Sequence, residues 1–177
     1  MDMNQAFDDL GPHFAPGIAD QVYLELHSAL DYMTIVYPAV PTLVDITTGG
    51  IVTVTDIPGS LSGSYYITIK HRNSIETTSA AAVSFATSPV TYDFTTAASQ
   101  AFGDNMRLMG TVYAIWGGDV NQDGIVDSGD MNPVENASTA FTSGYVPEDA
   151  NGDGFVDTSD MNIVENNSTA FVGILLP

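Results

Sequence analysis

The last third of this chain contains an internal repeat. The segment from Asp119 to Phe141 realigns without a gap on the segment from Asp149 to Phe171, at an offset of 30 residues. Two matched copies indicate a duplicated supersecondary unit, because a solenoid needs at least three repeats. Gly117-Gly118 marks a boundary before the pair, and residues 144–147 link the two copies. The sequence therefore predicts two similar units in this part of the chain.

Each copy carries the residue pattern of a calcium-binding loop. In an EF-hand loop, oxygen ligands come from the side chains at positions 1, 3, 5, 9 and 12 and from the carbonyl of position 7, with glycine at position 6 for the sharp turn. Gly124 and Gly154 occupy position 6. The predicted ligands are Asp119, Asn121, Asp123, Ile125, Asp127 and Asp130 in the first loop, and Asp149, Asn151, Asp153, Phe155, Asp157 and Asp160 in the second.

One acidic turn can carry such a pattern by chance, but two complete copies argue against chance. We therefore predict two Ca²⁺ ions per chain, since long flexible oxygen-rich loops favour calcium over magnesium or manganese. The eight loop aspartates repel one another without metal, so we expect the metal-free pair to be disordered. The position-8 residues Val126 and Val156 are expected to form a small strand pair between the loops.

The repeat resembles the dockerin type I family of EF-hand-like modules. The resemblance rests on the residue pattern from Gly118 to Asp130, on Asp rather than Glu at position 12, and on one helix per loop. It covers Gly118 to about Pro177. It implies a small α-helical pair of loop–helix units with a calcium-dependent fold and a pseudo-twofold axis. In cellulosomal dockerins such a pair attaches an enzyme to a cohesin receptor, through loop positions 10 and 11 and basic residues on the following helix.

Some features depart from the dockerin pattern. Positions 10 and 11 are Ser128-Gly129 and Thr158-Ser159, a tolerable match, but no Lys or Arg follows Arg107 and Pro133 lies early in the first helix. The basic contacts that the resemblance implies are therefore missing. The stretches 65–77, 90–95 and 103–107 lead directly into the loops. This combination resembles the C-terminal regions of secreted and cell-surface bacterial proteins, in which a β-sandwich precedes a dockerin-like pair.

Upstream of the loops, the chain has the pattern of short strands separated by turns. Apolar and polar residues alternate over residues 22–27, 52–55 and 65–72, as in half-buried strands. Shorter candidate strands cover residues 33–37, 42–45, 82–85, 91–94 and 108–115. About eight short strands predict a mainly β fold, an antiparallel β-sandwich. We predict an N-terminal segment over 1–20, a sandwich domain over 21–117, and a double calcium-loop domain with an apolar tail over 118–177.

The charge balance restricts the partners of the chain. It has 22 acidic residues against 3 basic ones and a net charge of −19. Such a surface repels nucleic acids and anionic membranes, whereas metal cations are natural counter-charges. No apolar run is long enough to insert in a membrane. Without cysteine there are no disulfides, thiolate zinc sites or cysteine nucleophiles. The N-terminal residues lack signal-peptide features, so we expect an exported protein to have lost its signal or to come from a longer precursor.

The remaining polar residues give weaker indications of function. His13, His27 and His71 lack a metal-binding spacing and are predicted to be packed or surface residues. The segment Lys70-His71-Arg72 either grips a carboxylate of the loop pair or binds a ligand, and we favour the internal role. Asn136, Asn166 and Asn167 begin glycosylation-type sequons. No catalytic motif is present, and most paired acids already belong to the loops, so no enzyme activity is predicted.

The leading functional hypothesis is a non-catalytic, extracellular, calcium-stabilised structural subunit that assembles into a surface fibre or layer through its termini. The apolar tail 171–177 either packs back on its own sandwich or adds to a neighbouring subunit by strand pairing. The alternative is a binding module that attaches a secreted enzyme or adhesin to a protein or glycan receptor. Expected partners are therefore another copy of the chain, another protein, or a glycan.

Overall fold

A computed structural model describes residues 3–177, and the chain is mainly β with two α-helices. The strands are β1 (Phe7–Asp8), β2 (Gly11–Pro12), β3 (Ile18–Ser28), β4 (Ile35–Tyr37), β5 (Leu43–Thr47), β6 (Ser64–His71), β7 (Ser74–Thr78), β8 (Val83–Ser84), β9 (Arg107–Met109) and β10 (Val112–Ala114). The helices are α1 (Ser128–Thr139) and α2 (Thr158–Ser168), with three short 3-10 turns between residues 94 and 104.

Within residues 3–177 the strands form one six-stranded sheet and two hairpins, and every strand pairing is antiparallel. In the large sheet β3 and β6 are neighbours, with Leu26 opposite Ile67. Strands β4 and β5 pair with the other edge of β3, and β7 and β8 pair with the other edge of β6. The hairpins are β1–β2 and β9–β10. The prediction of a mainly β, antiparallel fold is confirmed.

Both faces of the central strands are covered. Val22, Leu26 and Ile67 are buried on one face, as the alternating pattern predicts. The opposite face carries Glu25, His27 and Thr68, which are also buried. Tyr32 covers this polar face, because its hydroxyl bonds the side chains of Thr68, Thr78 and Glu76. The alternation therefore gives the direction of each side chain correctly, but the polar face is not the solvent face.

Several predicted strands differ from the structure. Residues 52–55 form no strand, and Val52 makes only an isolated bridge to Ile46. Residues 91–94 lead into a 3-10 turn rather than forming a strand, because Asp93 caps that turn by accepting from Thr95 N. Stretch 108–115 is a hairpin, with Gly110 in a left-handed conformation at its turn. Strand β7 was not predicted, since Ser, Glu and Thr hide its alternation.

The last third of the chain packs around its own apolar cluster. Val126, Val134 and Val164 are almost fully buried there, together with Val120, Val156 and Val172. Ile75 from β7 belongs to the same cluster, so the large sheet and the two helices share a core. Among the described residues, no helix has both the length and the apolar character required to cross a membrane.

Candidate metal centre

The two repeats fold into loops of the same conformation. Positions 4 and 6 have left-handed backbone in both: φ is 59° at Gln122 and 88° at Gly124, and 79° at Gly152 and 86° at Gly154. Side chains close each loop on itself. Asn121 Oδ1 accepts from Asp123 N at 2.8 Å, and the matching bond in the second loop, between residues 151 and 153, is 2.7 Å. The repeat seen in the sequence is thus a structural repeat.

The position-12 aspartates tie the beginning of each loop to its end. Asp130 Oδ1 accepts from Val120 N and Asn121 N at 2.7 and 3.0 Å, and its Oδ2 accepts from Asp127 N at 3.0 Å. Asp160 makes equivalent bonds to Asn151 N and Asp157 N, each at 2.9 Å. Both are fully buried and complete the capping boxes that start α1 and α2. The position-12 residue therefore sets the diameter of its loop.

The position-1 aspartates are buried in an unusual electrostatic setting. Burial is the main cause that raises the pKa of Asp119 to about 6; the Gly124 N–H opposes it, and the charges of Asp130 and Asp123 add to it. Asp119 is 2% exposed, and its Oδ1 has no hydrogen-bond partner among the described residues. Burying a charged oxygen without a donor is unfavourable by several kcal/mol in order of magnitude, roughly 2–7 even for a neutral polar group. A cation at this oxygen removes that cost.

The corresponding residue of the second loop has more donors. Asp149 Oδ1 accepts from Gly152 N and Asp153 N at 2.9 and 3.2 Å, and Oδ2 accepts from Gly154 N at 3.0 Å. Burial still raises the pKa of Asp149, although the Gly154 N–H and the charge of Arg72 act against it. Burial likewise raises the pKa of Asp160. Three buried loop carboxylates therefore resist ionisation in the absence of a positive ion.

The predicted ligands of each loop lie in the same loop, but their side-chain oxygens do not converge on one position. In the part of the chain from residue 3 to residue 177, no group of three or more histidine or acidic side chains is arranged to hold a metal ion. The physical reason is that loop oxygens face backbone N–H groups, as with Asp127 Oδ1 and Gly129 N at 2.6 Å. The donor set nevertheless suits a hard cation, because it consists of carboxylate, amide and carbonyl oxygens. The twelve ligand positions stay a prediction.

The expected strand pair between Val126 and Val156 is absent. Instead, each loop pairs with the segment that follows the other helix. Val126 N donates to Val172 O at 2.9 Å, and Val156 N donates to Thr142 O at 3.1 Å. The neighbouring bonds, Ile174 N to Gly124 O and Gly144 N to Gly154 O, are both 2.8 Å. The prediction was wrong because the backbone groups of Val126 and Val156 bond instead to the segments that follow α2 and α1.

Both terminal segments contact this double loop. Phe7 N in β1 donates to Gly152 O at 3.0 Å. The tail is held by the bond of Asn105 Nδ2 to Gly173 O at 2.9 Å and by burial of Val172. Of the two alternatives for the tail, packing within its own chain is the one observed, against the first loop rather than against an edge strand.

The basic segment 70–72 has internal partners, as favoured. Arg72 Nη1 donates to the backbone oxygens of Val146 and Asp149, not to a loop carboxylate as expected. Lys70 Nζ stays within the large sheet, 2.8 Å from Glu25 Oε2. His71 Nε2 lies 3.1 Å from Asp20 Oδ2. His27 is buried beside Glu25, and the exposed ring of His13 stacks on Tyr145.

Asp20 gives a pH-dependent link between β3 and the linker of the repeats. Burial alone raises the pKa of Asp20, but hydrogen bonding and charge from His71, together with the Tyr145 hydroxyl, outweigh it and bring the pKa to about 2. Since the ordinary value is 3.8, the ionised form stabilises the fold above about pH 4, and this contribution is lost as pH falls towards 2.

We therefore expect Asp20→Asn to lower the free energy of unfolding by about 2 kcal/mol near neutral pH, and by much less near pH 2. Urea denaturation of both proteins between pH 2 and 7 measures the difference between their free energies of unfolding. Protonation of the loop aspartates affects both proteins equally and cancels in this difference. Parallel pH profiles for the two proteins would contradict the assignment.

The three sequon asparagines are not equivalent. Asn136 and Asn166 lie on the exposed sides of α1 and α2. Asn167 is buried: its Nδ2 donates to Gly117 O at 2.8 Å, and its Oδ1 accepts from Arg107 Nη1 at 2.6 Å. Asn167 is therefore a structural residue that holds the loop boundary.

Two pairs of exposed apolar side chains were not predicted as functional. Phe141 and Phe171 follow the two helices at matching positions and are 90% and 92% exposed. Ile125 and Phe155, at position 7 of the loops, are 53% and 63% exposed. Backbone bridges place Ile125 beside Gly173 and Phe155 beside Ser143. The signal that was available is the recurrence of large apolar residues at equal places in both repeats.

Comparisons with known proteins give one structural likeness. No protein-family model matches the sequence, and no curated protein matches it. A chain of a type II cohesin–X-dockerin complex from Acetivibrio cellulolyticus, a C-terminal interface mutant, matches with a TM-score of 0.50 and 18% sequence identity. The match covers 96% of each chain, so it includes residues of both the sheets and the loop pair. At this identity, the likeness shows a shared fold.

Proposed function

We propose that this chain is a non-catalytic, extracellular protein-interaction module whose C-terminal third is a dockerin-like pair of calcium sites. The observation that carries the calcium assignment is the buried Oδ1 of Asp119, which has no hydrogen-bond partner among the described residues and lies at position 1 of an oxygen-rich loop. The same loop recurs 30 residues later with the same backbone conformation. When bound, each Ca²⁺ supplies the positive charge that the loop carboxylates lack.

The residues of each loop have separate tasks in this proposal. The side chains of positions 1, 3, 5, 9 and 12 supply oxygens, and position 7 supplies a carbonyl. Asp130 and Asp160 draw the ends of their loops together through backbone N–H bonds. The same two residues also begin the helices, so loop closure and helix initiation are one event. This arrangement makes the helical pair dependent on calcium.

Loop-specific variants test this assignment. We expect metal-free Asp130→Ala and Asp160→Ala each to bind about one Ca²⁺ instead of about two in calorimetric titration, because each variant leaves one loop intact. Glu135→Gln and Glu165→Gln are matched controls, since they remove exposed charges at equal positions of the two helices. The controls should retain both sites. Unchanged stoichiometry in the Asp variants would refute the loop assignment.

The proposed partner is a protein that covers exposed apolar side chains of the loop pair. The large apolar side chains of Phe141, Phe155, Phe171 and Ile125 are between 53% and 92% exposed. Such side chains are typical anchors of protein interfaces. The fold likeness to a chain of a cohesin–X-dockerin complex supports a protein partner. The chain lacks the basic helix residues of cellulosomal dockerins, so this partner reads apolar surface rather than positive charge.

Capture on an immobilised type II cohesin, with calcium and with chelator, tests this docking. The expected result is retention in calcium that is lost on chelation and is weakened more than tenfold by Phe141→Ser together with Phe171→Ser. Ser is neutral and polar, so the change leaves the loop charges intact. Equal retention of wild type and the double variant would contradict an apolar interface at these residues.

Assembly into a fibre or layer is the second candidate function. The strand-addition route needs free terminal segments, whereas Phe7 and Gly173 are bonded within the chain. The net charge of −19 also opposes association of copies. These two observations favour docking to another protein. Size-exclusion chromatography with light scattering at high protein concentration discriminates the two: a monomer in calcium supports docking, and calcium-dependent growth of large species supports assembly.

A further inference from the structure

The turn between β6 and β7 reaches the start of both loops. Asn73 in this turn is 2% exposed. Its side-chain Nδ2 donates to Asp149 O at 3.0 Å and to Pro147 O at 3.1 Å. Its backbone oxygen accepts from Gly118 N at 2.7 Å, and Gly118 immediately precedes Asp119. The buried Asn73 therefore contacts Asp149, which is position 1 of the second loop, and Gly118, which precedes position 1 of the first loop.

Neighbouring contacts hold this turn rigidly against the loops. Ile75 N, two residues later in the chain, donates to Trp116 O at 2.8 Å, and Ile75 packs into the apolar cluster of the loop pair. On the other side Arg72 Nη1 donates to Asp149 O at 2.9 Å. The carbonyl of Asp149 thus accepts from two side chains of the turn. The start of the second loop is therefore held by the β6–β7 turn as well as by bonds within its own repeat.

We propose that Asn73 is a positioning residue of the second calcium site, and that the β6–β7 turn makes the sheet part of the metal centre. The inference rests on the calcium binding proposed above. The side chain of Asn73 fixes Asp149 before a cation arrives, so less chain entropy is lost on binding. Its contact with the first loop runs through the backbone, which substitutions at position 73 leave in place. The side chain therefore acts on the second loop alone.

Asn73 is a cleaner probe of this effect than Arg72. Both hold Asp149 O, but Arg72 also brings a positive charge towards a cation site. Removal of Arg72 loosens the loop and at the same time removes charge repulsion, and these effects have opposite signs. Asn73 is neutral, so its removal changes only hydrogen bonding and packing.

Calorimetric calcium titration of the metal-free full chain tests the proposal. For Asn73→Ala we expect one of the two sites to weaken about tenfold, because the two hydrogen bonds of the Asn73 side chain are lost and part of that loss is expressed in calcium binding. The other site should stay within about twofold of wild type. In the background of Asp130→Ala, which leaves only the second loop, the same weakening should appear in the single remaining site.

Thr77→Val is the matched control. Thr77 is as deeply buried as Asn73, lies in β7, and donates from its hydroxyl to Ile75 O at 3.1 Å within the same strand. We expect this variant to lower thermal stability equally with calcium and with chelator and to leave both affinities unchanged. Asn73→Ala, in contrast, should reduce the stabilisation that calcium confers. Equal behaviour of the two variants would mean a merely structural Asn73.

A second measurement keeps the proposal open to refutation if Asn73→Ala does not fold. The side-chain amide signal of Asn73 should shift on calcium binding in wild type and in Asp130→Ala, because the second loop is intact in both. It should not shift in Asp160→Ala. The absence of any calcium heat in wild type overturns the proposed function. Two bound ions with unchanged affinities in Asn73→Ala overturn only the positioning role.

Discussion

Addition of calcium to the metal-free protein is expected to raise its thermal midpoint by about 20 °C. A ligand at a concentration 1,000 times its Kd stabilises the native state by about 4 kcal/mol per site, so two sites give about 8. For a chain of this size, each kcal/mol moves the midpoint by about 2–4 °C. Scanning calorimetry with calcium and then with chelator measures the shift.

The buried loop carboxylates are the physical reason why calcium stabilises the folded chain. Burial is the largest cause that raises the pKa of Asp119, Asp149 and Asp160, so their ionised forms are strained without a cation. Magnesium at the same concentration is the control, because it demands a tighter octahedral site and dehydrates reluctantly. A midpoint that calcium and magnesium raise equally, or that calcium leaves unchanged, would count against specific sites.

Ile75→Ala is expected to be among the most destabilising single substitutions in the chain. Ile75 is 0% exposed and packs in the same cluster as Val126, Val134 and Val164. Loss of three carbons from a packed core costs about 2–5 kcal/mol, which corresponds to roughly 10 °C in the thermal midpoint. Since β7 contributes Ile75 to a core otherwise made by the repeats, the variant should also loosen the contact between sheet and loops.

Urea denaturation of the calcium-loaded protein measures this loss. Ile75→Val is the graded control, and we expect it to cost only about 0.5–1.5 kcal/mol because one methyl group is removed. The order wild type, Val, Ala supports a shared core. A cost below about 1 kcal/mol for Ile75→Ala would show that the sheet and the loop pair are stabilised independently.

The sequence predicted best what depends on local chemistry. The turn at Gly124 and Gly154 needs positive φ, and both glycines have it. The helices begin where Asp at positions 9 and 12 forms a capping box, which is a local pattern. The long strands β3 and β6 were found because their apolar residues alternate over many positions. The mainly β class followed from the same alternation.

Contacts between distant segments were beyond the sequence. Asn73 and Asp149 are 76 positions apart, and nothing in a Lys-His-Arg-Asn turn shows which carbonyl it meets. Strand β7 was not recognised in the sequence because its polar residues Ser74, Thr77 and Thr78 are buried, whereas polar residues are usually exposed. The backbone bonds of Val126 to Val172 and of Val156 to Thr142 depend on how the two units pack. Local patterns do not encode that packing.

Calcium binding by the two repeats is measured by a calorimetric titration of the metal-free wild-type chain. We predict about two Ca²⁺ ions bound per chain, with release of protons near pH 6, where Asp119 is partly protonated without metal. A titration that shows no binding heat in buffers of different ionisation enthalpy, and no change in thermal midpoint on chelation, would contradict calcium binding by the repeats.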